Sequence, residues 1–232
     1  MKKEQLLERL RIQKEIYLCE KDPIYFMENY VKCSHPTHGS MLFSPHPFQA
    51  EYISELEKGQ NTIVSASRRT GSSITTMMFL FWEAFFQPHQ KIGICSNRIE
   101  QSRSNLQMVR HAYHTLPSWL RDFNPLVDNT KGYMEFANGS LFSVRSSDPC
   151  SFRGMSLSTV FIDNFTLIHT DQRQEELLVS IMPTIMTTKG SKAIIVAPGD
   201  GSSLFYDMFS DALNGRSSFN AVYLTAPDFL ET

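Results

Sequence analysis

Thr62-Ile63-Val64-Ser65-Ala66-Ser67-Arg68-Arg69-Thr70-Gly71-Ser72-Ser73 joins a short apolar run to a helical pattern through a turn that carries two arginines and a glycine. The run from Thr62 to Ala66 lacks polar alternation, as expected of a strand covered on both faces. The pattern from about Ser72 to Phe86 is that of a helix. A turn between strand and helix aims backbone N–H groups and a helix N-terminus at one point, which makes a ready anion site. Ser67, Arg68, Arg69, Thr70, Gly71, Ser72 and Ser73 are therefore candidate anion-binding residues. In a phosphate-binding loop a Lys precedes the final Ser/Thr and reaches the β- and γ-phosphates. Here that position holds Ser72, while Ser73 keeps a hydroxyl suited to Mg²⁺. Taken alone, the segment also fits an ordinary strand–turn–helix with exposed arginines.

The same alternation continues outward. Lys91–Ser96, Thr159–Asp163 and Lys192–Ala197 read as further short buried strands, and helices are expected near 99–113, 172–181 and 203–213. Asn138-Gly139 between Tyr133–Phe136 and Ser140–Val144 is a hairpin signal. Upstream, residues 3–20 and 24–31 read as helices, the Ser/Pro/His/Gly-rich stretch 33–47 as a loop, and Pro47 opens another helix. Strands alternating with helices imply right-handed crossovers and a mainly parallel sheet with helices on both faces. The expectation is one α/β domain.

Composition bounds the function. A chain of 232 residues, 41% hydrophobic, can bury a sizeable core. The balance of 22 basic against 24 acidic residues, net −2, excludes a bulk polyanion binder and leaves room only for a local basic face. The four cysteines, Cys19, Cys33, Cys95 and Cys150, form no CxxC pair and read as free thiols of a reducing compartment. The charged N-terminus lacks a signal-peptide core, and the apolar run from Met77 is broken by Glu83, too short to span a bilayer. A non-secreted protein with no membrane contact is expected. Met77, Met78, Phe79, Phe81, Trp82, Phe85 and Phe86 read as core. Cys33, His35, His38 and His46 lack the paired spacing of a closed zinc site and read as surface loop.

Three further segments carry chemistry. Val160-Phe161-Ile162-Asp163-Asn164 ends an apolar strand in an acid, placing a carboxylate at the sheet edge where open α/β sheets bind ligands. Pro47-Phe48-Gln49 opens a helix with an amide able to donate to and accept from an adenine edge. Ile194–Ala197 empties into Pro198-Gly199-Asp200-Gly201, either a nucleotide-sensing turn or a simple one.

In this order the segments resemble the ATPase domain of the large terminase subunit, the DNA-packaging motor of tailed bacteriophages, which is also similar to herpesvirus terminases. The resemblance runs from about Asp22 to Tyr223. It includes Tyr25–Val31, Pro47-Phe48-Gln49, Ser67–Gly71, Phe136–Ser140, Ser151-Phe152-Arg153-Gly154, Phe161-Ile162-Asp163, Phe205-Tyr206-Asp207 and Ala212–Gly215. It implies a P-loop NTPase of the ASCE type, with a mainly parallel sheet flanked by helices. Residues 1–45 would be an N-terminal helical and loop extension and 46–232 the ATPase-like domain, without the nuclease domain that large terminases usually carry. It also implies ATP and Mg²⁺ as ligands, with Gln49 on adenine, Arg68 as a cis-acting catalytic arginine finger, and Ser73 and Asp163 on Mg²⁺. The implied partners are viral double-stranded DNA, a portal protein and the small terminase subunit, in a ring on the portal with a monomer in isolation, within the host cytoplasm.

Three positions depart from the family. The Walker A Lys is Ser72, the catalytic Glu after the Walker B Asp is Asn164, and the Ser/Thr pair before the Pro-Gly turn is Val196-Ala197. The expectation is a terminase-like domain with weak or lost hydrolysis. The alternatives are an active translocase using a displaced Arg68 or Arg69, and a non-catalytic assembly or regulatory protein that keeps only the fold.

Overall fold

β-Branched and small residues in runs of five or six, each followed by a turn and an amphipathic or wholly apolar helix, build three layers around one sheet. The computed structural model describes residues 2–35, 37, 39–186, 191–198 and 203–226. The elements are α1 (Lys2–Lys21), α2 (Pro23–Tyr30), β1 (Lys32–His35), β2 (Gly39–Leu42), α3 (Pro47–Glu57), β3 (Asn61–Ala66), α4 (Ser72–Phe86), β4 (Lys91–Ser96), α5 (Ile99–Thr115) and α6 (Ser118–Phe123). They continue through β5 (Leu126–Thr130), β6 (Tyr133–Phe136), β7 (Leu141–Val144), β8 (Thr159–Asp163), α7 (Asp171–Met186), β9 (Lys192–Ala197), α8 (Ser203–Leu213) and β10 (Phe219–Leu224).

Among the described residues the main sheet has the order β10-β3-β9-β8-β4-β7-β6-β5. β10 through β7 are parallel, and β6 and β5 complete it as an antiparallel meander. β9 separates β3, which carries the arginine turn, from β8, which carries the acid. That inserted strand marks the ASCE class of P-loop folds, as expected. Alternate side chains divide between the faces. Val64, Ile92, Ile94, Phe161, Ile194 and Val196 join a core under α2–α5, whereas Ile63, Cys95, Val160, Ile162, Ala193 and Ile195 join one under α7 and α8. α4 is apolar almost all round and buried from Thr75 to Phe86, which accounts for its Met/Phe/Trp composition.

The N-terminal end of β9 is pinned by a buried ion pair. Lys192 Nζ lies 2.7 Å from Glu83 Oε1 and over the Phe79 ring, joining β9 to α4. The N-terminal helices pack on the same face as α4. Trp82 Nε1 donates to Cys19 O, and the hydroxyls of Tyr25 and Tyr30 both donate to Glu15 Oε2 at 2.8 Å. Asp22 caps α2 by accepting from the N–H groups of Ile24 and Tyr25, with Pro23 in the first turn.

The stretch expected as a loop at 33–47 contains an antiparallel pair instead, β1 with β2, in register from Lys32↔Leu42 to His35↔Gly39. β5, β10 and α6 are likewise absent from the sequence reading. β2 is exposed along its whole length and β5 nearly so, so neither shows the buried pattern that marks a strand. No helix among the described residues is long and apolar enough to cross a membrane.

Candidate nucleotide cleft

Parallel strands all empty at one edge, so the ends of β3, β8 and β9 are brought together by topology alone. They enclose a cleft of about 530 Å³, lined by Ala66–Ile74, Asp163, Asn164, Leu167, Val196, Ala197 and Pro198, with Met108 from α5. That volume lies within the range of small-molecule sites.

One wall is the turn after β3. Ser67 N–H donates to Leu224 O of β10, and Thr70 Oγ1 donates back to Ser67 O at 2.9 Å, closing the turn on itself. Arg69 (φ 65°) and Gly71 (φ 71°) take the left-handed conformation. For Arg69 that is an uncommon, strained backbone, of the kind that clusters at ligand sites. At Gly71 the positive φ favours glycine, and a Cβ would also stand 2.7 Å from Gln49 Nε2 and push that amide aside. Gly71 O accepts the N–H of Thr75, which leaves the N–H groups of Ser72, Ser73 and Ile74 without acceptors inside the helix. The side chains of Arg68 and Arg69 are exposed, and among the described residues neither guanidinium has a hydrogen bond or ion pair.

The opposite wall is the end of β8. Asp163 is 1% exposed and both its oxygens are engaged. Ser73 Oγ donates to Oδ1 at 3.0 Å, and Asn105 Nδ2, from α5, donates to Oδ2 at 2.8 Å. Burial pushes the Asp163 carboxyl above the ordinary aspartate range, with the donors from Asn105, Ser73 and the Asn164 backbone opposing that rise. Asn164 follows in the left-handed region (φ 54°, ψ 44°) and opens a short 3₁₀ turn, Phe165–Leu167. Val196 and Ala197, almost wholly buried, present only apolar surface to the cleft.

α3 braces the turn from behind. Gln49 is buried: His46 N–H donates to its Oε1 at 3.0 Å, and its Nε2 donates to Thr70 O at 2.8 Å. Thr76 Oγ1 donates to Ser72 O, so the Tyr52 hydroxyl, 2.8 Å from Thr76 Oγ1, donates to it in turn. Gln49, expected to read adenine, is thus committed through both ends of its amide to positioning the turn. It is not among the residues that line the cleft.

A family model described as the large terminase subunit, T4-like-virus type, N-terminal, matches residues 63–231. The chain belongs to that family. Solved structures share the fold of this terminase domain. The large terminase of bacteriophage HK97 superposes with a TM-score of 0.70 at 14% identity, covering 90% of this chain and 44% of that one. The large-terminase ATPase domain of Thermus phage P74-26 gives 0.61 at 18%, covering 79% and 82%. The large terminase of a further thermophilic bacteriophage, in complex with ADP, gives 0.59 at 15%, covering 80% and 47%. The chain therefore spans less than half the length of the HK97 protein and of the ADP-bound one.

Of the residues expected at the site, Ser67 to Ser73, Asp163 and Asn164 line one cleft in this terminase domain. Gln49 stands behind it. Pro198 lines it as well, while Gly199, Asp200 and Gly201 lie outside the described residues. Asn105 and Tyr52 are absent from the sequence reading. The signal for Asn105 lies in α5, where Ser102 and Asn105 share the stripe of Leu106, Val109, Ala112 and Tyr113. A polar side chain on that stripe needs a buried partner.

Proposed function

We propose that the cleft binds a Mg²⁺-nucleoside triphosphate, and that the domain works within a viral DNA-packaging terminase with weak or lost hydrolysis. The observation that carries the reading is the meeting of an anion-binding turn and a buried Asp in one cleft. Ser73 Oγ and Asp163 Oδ1 lie 3.0 Å apart. Two neighbouring ligands of an octahedral Mg²⁺ at 2.0–2.1 Å stand about 2.9 Å apart, so this donor set suits a hard, oxygen-binding cation. When bound, that cation would neutralise phosphate charge.

This chain's own residues then divide the work. The free N–H groups of α4 and the guanidinium groups of Arg68 and Arg69 receive the phosphates. Adenine contact by Gln49 requires its amide to release Thr70 O or His46 N–H. Asn164 can orient a water but cannot accept its proton at neutral pH. Ser72 has no charge to replace that of a Lys. The ADP complex of the thermophilic-phage large terminase supports nucleotide as the ligand class. Residues 46–232 form the ATPase-like unit and 1–45 an accessory that stiffens α4, with double-stranded DNA, a portal protein and the small terminase subunit as partners, in a ring on the portal and a monomer in isolation.

One observation favours a second reading, an active ATPase. Arg68 and Arg69 have no partner among the described residues and line the cleft, where a displaced cation would have to stand. Melting and phosphate release separate the readings. The binding reading expects a rise in melting temperature with Mg²⁺-ATP or Mg²⁺-ADP and phosphate release at background. Release above background with ATP, DNA and portal, abolished in Arg68→Ala, establishes the active motor. No shift with any nucleotide leaves a non-catalytic assembly role for the fold.

A further inference from the structure

Asn105 lies mid-way along α5 with no exposed surface, and its amide is engaged at both ends. Gln101 Nε2 donates to Asn105 Oδ1 at 3.3 Å, and Asn105 Nδ2 donates to Asp163 Oδ2 at 2.8 Å. Asp163 fixes the sense of that amide, because a carboxylate oxygen only accepts and so must face Nδ2, and Gln101 turns its own Nε2 to hold the Oδ1 left over. Oδ2 of Asp163 is thereby taken, and Oδ1, beside Ser73, is the oxygen left to a cation.

We propose that Asn105 determines the specificity of the cation site: by occupying Asp163 Oδ2 it enforces coordination through one oxygen and so selects Mg²⁺ over Ca²⁺. Mg²⁺ takes six ligands in near-ideal octahedral geometry, which single oxygens satisfy. Ca²⁺ takes six to eight at longer range and readily uses both oxygens of one carboxylate. Gln101 acts through Asn105, as a positioning residue. The assignment rests on the reading of the cleft as a Mg²⁺-nucleotide site and adds the element that discriminates between cations.

The test is ADP affinity of the whole chain by calorimetry, in Mg²⁺ and separately in Ca²⁺. Wild type binds more tightly with Mg²⁺. Asn105→Leu, similar in size and lacking the donor, lowers the Mg²⁺/Ca²⁺ affinity ratio about 10-fold, the scale of outer-shell effects at metal sites. Gln101→Ala, at a half-buried position, lowers it roughly threefold by removing the contact on Oδ1 that holds the Asn105 amide firmly against Oδ2. A purely structural role weakens binding equally with both cations, and an unchanged ratio in both variants overturns the assignment. Should Asn105→Leu not fold, an unchanged ratio in Gln101→Ala alone overturns it. Nucleotide binding by wild type that ignores divalent cations overturns the functional reading, and this assignment with it.

Discussion

The two walls of the cleft are built on opposite principles. The turn after β3 holds two exposed arginines without partners among the described residues, on a backbone forced into the left-handed region at Arg69 and Gly71. The end of β8 holds a buried carboxylate with both oxygens already hydrogen-bonded. One wall is open for an anion at no cost to the fold. The other must exchange internal partners before it serves a cation. If the cleft works as proposed, the contrast makes anion capture and metal capture separable, and damage to each wall should register in a different measurement.

The largest expected effect comes from repairing what both walls lack. Ser72→Lys with Asn164→Glu supplies phosphate charge at the turn and a proton acceptor beside Asp163. A general base of this kind is worth about 10²–10⁴-fold. Phosphate release should rise from background by about that factor, and continued silence would show that the walls no longer meet in a productive geometry. Next in size is Asp163→Asn. It should abolish Mg²⁺ dependence of nucleotide affinity in calorimetry while raising the melting temperature at neutral pH. The sign follows from the raised carboxyl: its contribution favours folding below the ordinary aspartate value and is lost as pH rises through the higher folded value. For a domain of this size each kcal/mol relieved is roughly 2–4 °C. A fall in melting temperature would break the comparison at its acid side.

Arg68→Ala is the counterpart on the open wall. It should weaken ATP binding about 10-fold, the scale of one charge-assisted hydrogen bond, and leave the melting temperature of the unliganded chain unchanged. Tyr52→Phe acts behind that wall. Losing the hydroxyl that supports Thr76 and Ser72 should lower stability by about 1 kcal/mol in urea denaturation. The smallest effect at the cleft belongs to a remote control, Glu15. Its carboxyl lies below the ordinary glutamate range because Tyr30 and Tyr25 donate to it. The contact is therefore fully present above the ordinary value and is lost as pH falls through the lowered one. Protection of α1 amides, corrected for the intrinsic exchange rate, should fall in acid, and Tyr30→Phe should weaken that pH dependence, Tyr25 still donating, without changing nucleotide affinity at neutral pH.

Legibility in the sequence followed burial. β4, β8 and β9 are covered on both faces, and their continuous apolar runs predict the boundaries that the fold shows. β2 and β5 are exposed along all or nearly all of their length, so no buried run marks them, and β10 is an edge strand that is mostly half-buried. At the site, the turn and Asp163 were visible because strand ends carry their chemistry at fixed positions. Asn105 was not, because its role depends on α5 lying across the end of β8, a tertiary fact that periodicity cannot supply. Gln49 shows a second thing that residue type alone leaves out. Its residue type suited an adenine edge, and in the fold the backbone of Thr70 claims the same amide.

The position of β3 also bears on how the chain is made. Its neighbours on either side are β9 and β10, both drawn from the far end of the sequence, and the turn itself is tied to Leu224 O. A chain emerging from the ribosome exposes residues 61–66 long before residues 192–224 exist to flank them. Pairings of such sequence separation form late and slowly. During synthesis the apolar strand beneath the arginines stands without partners, and the arginine turn is among the last parts of the molecule to come into being.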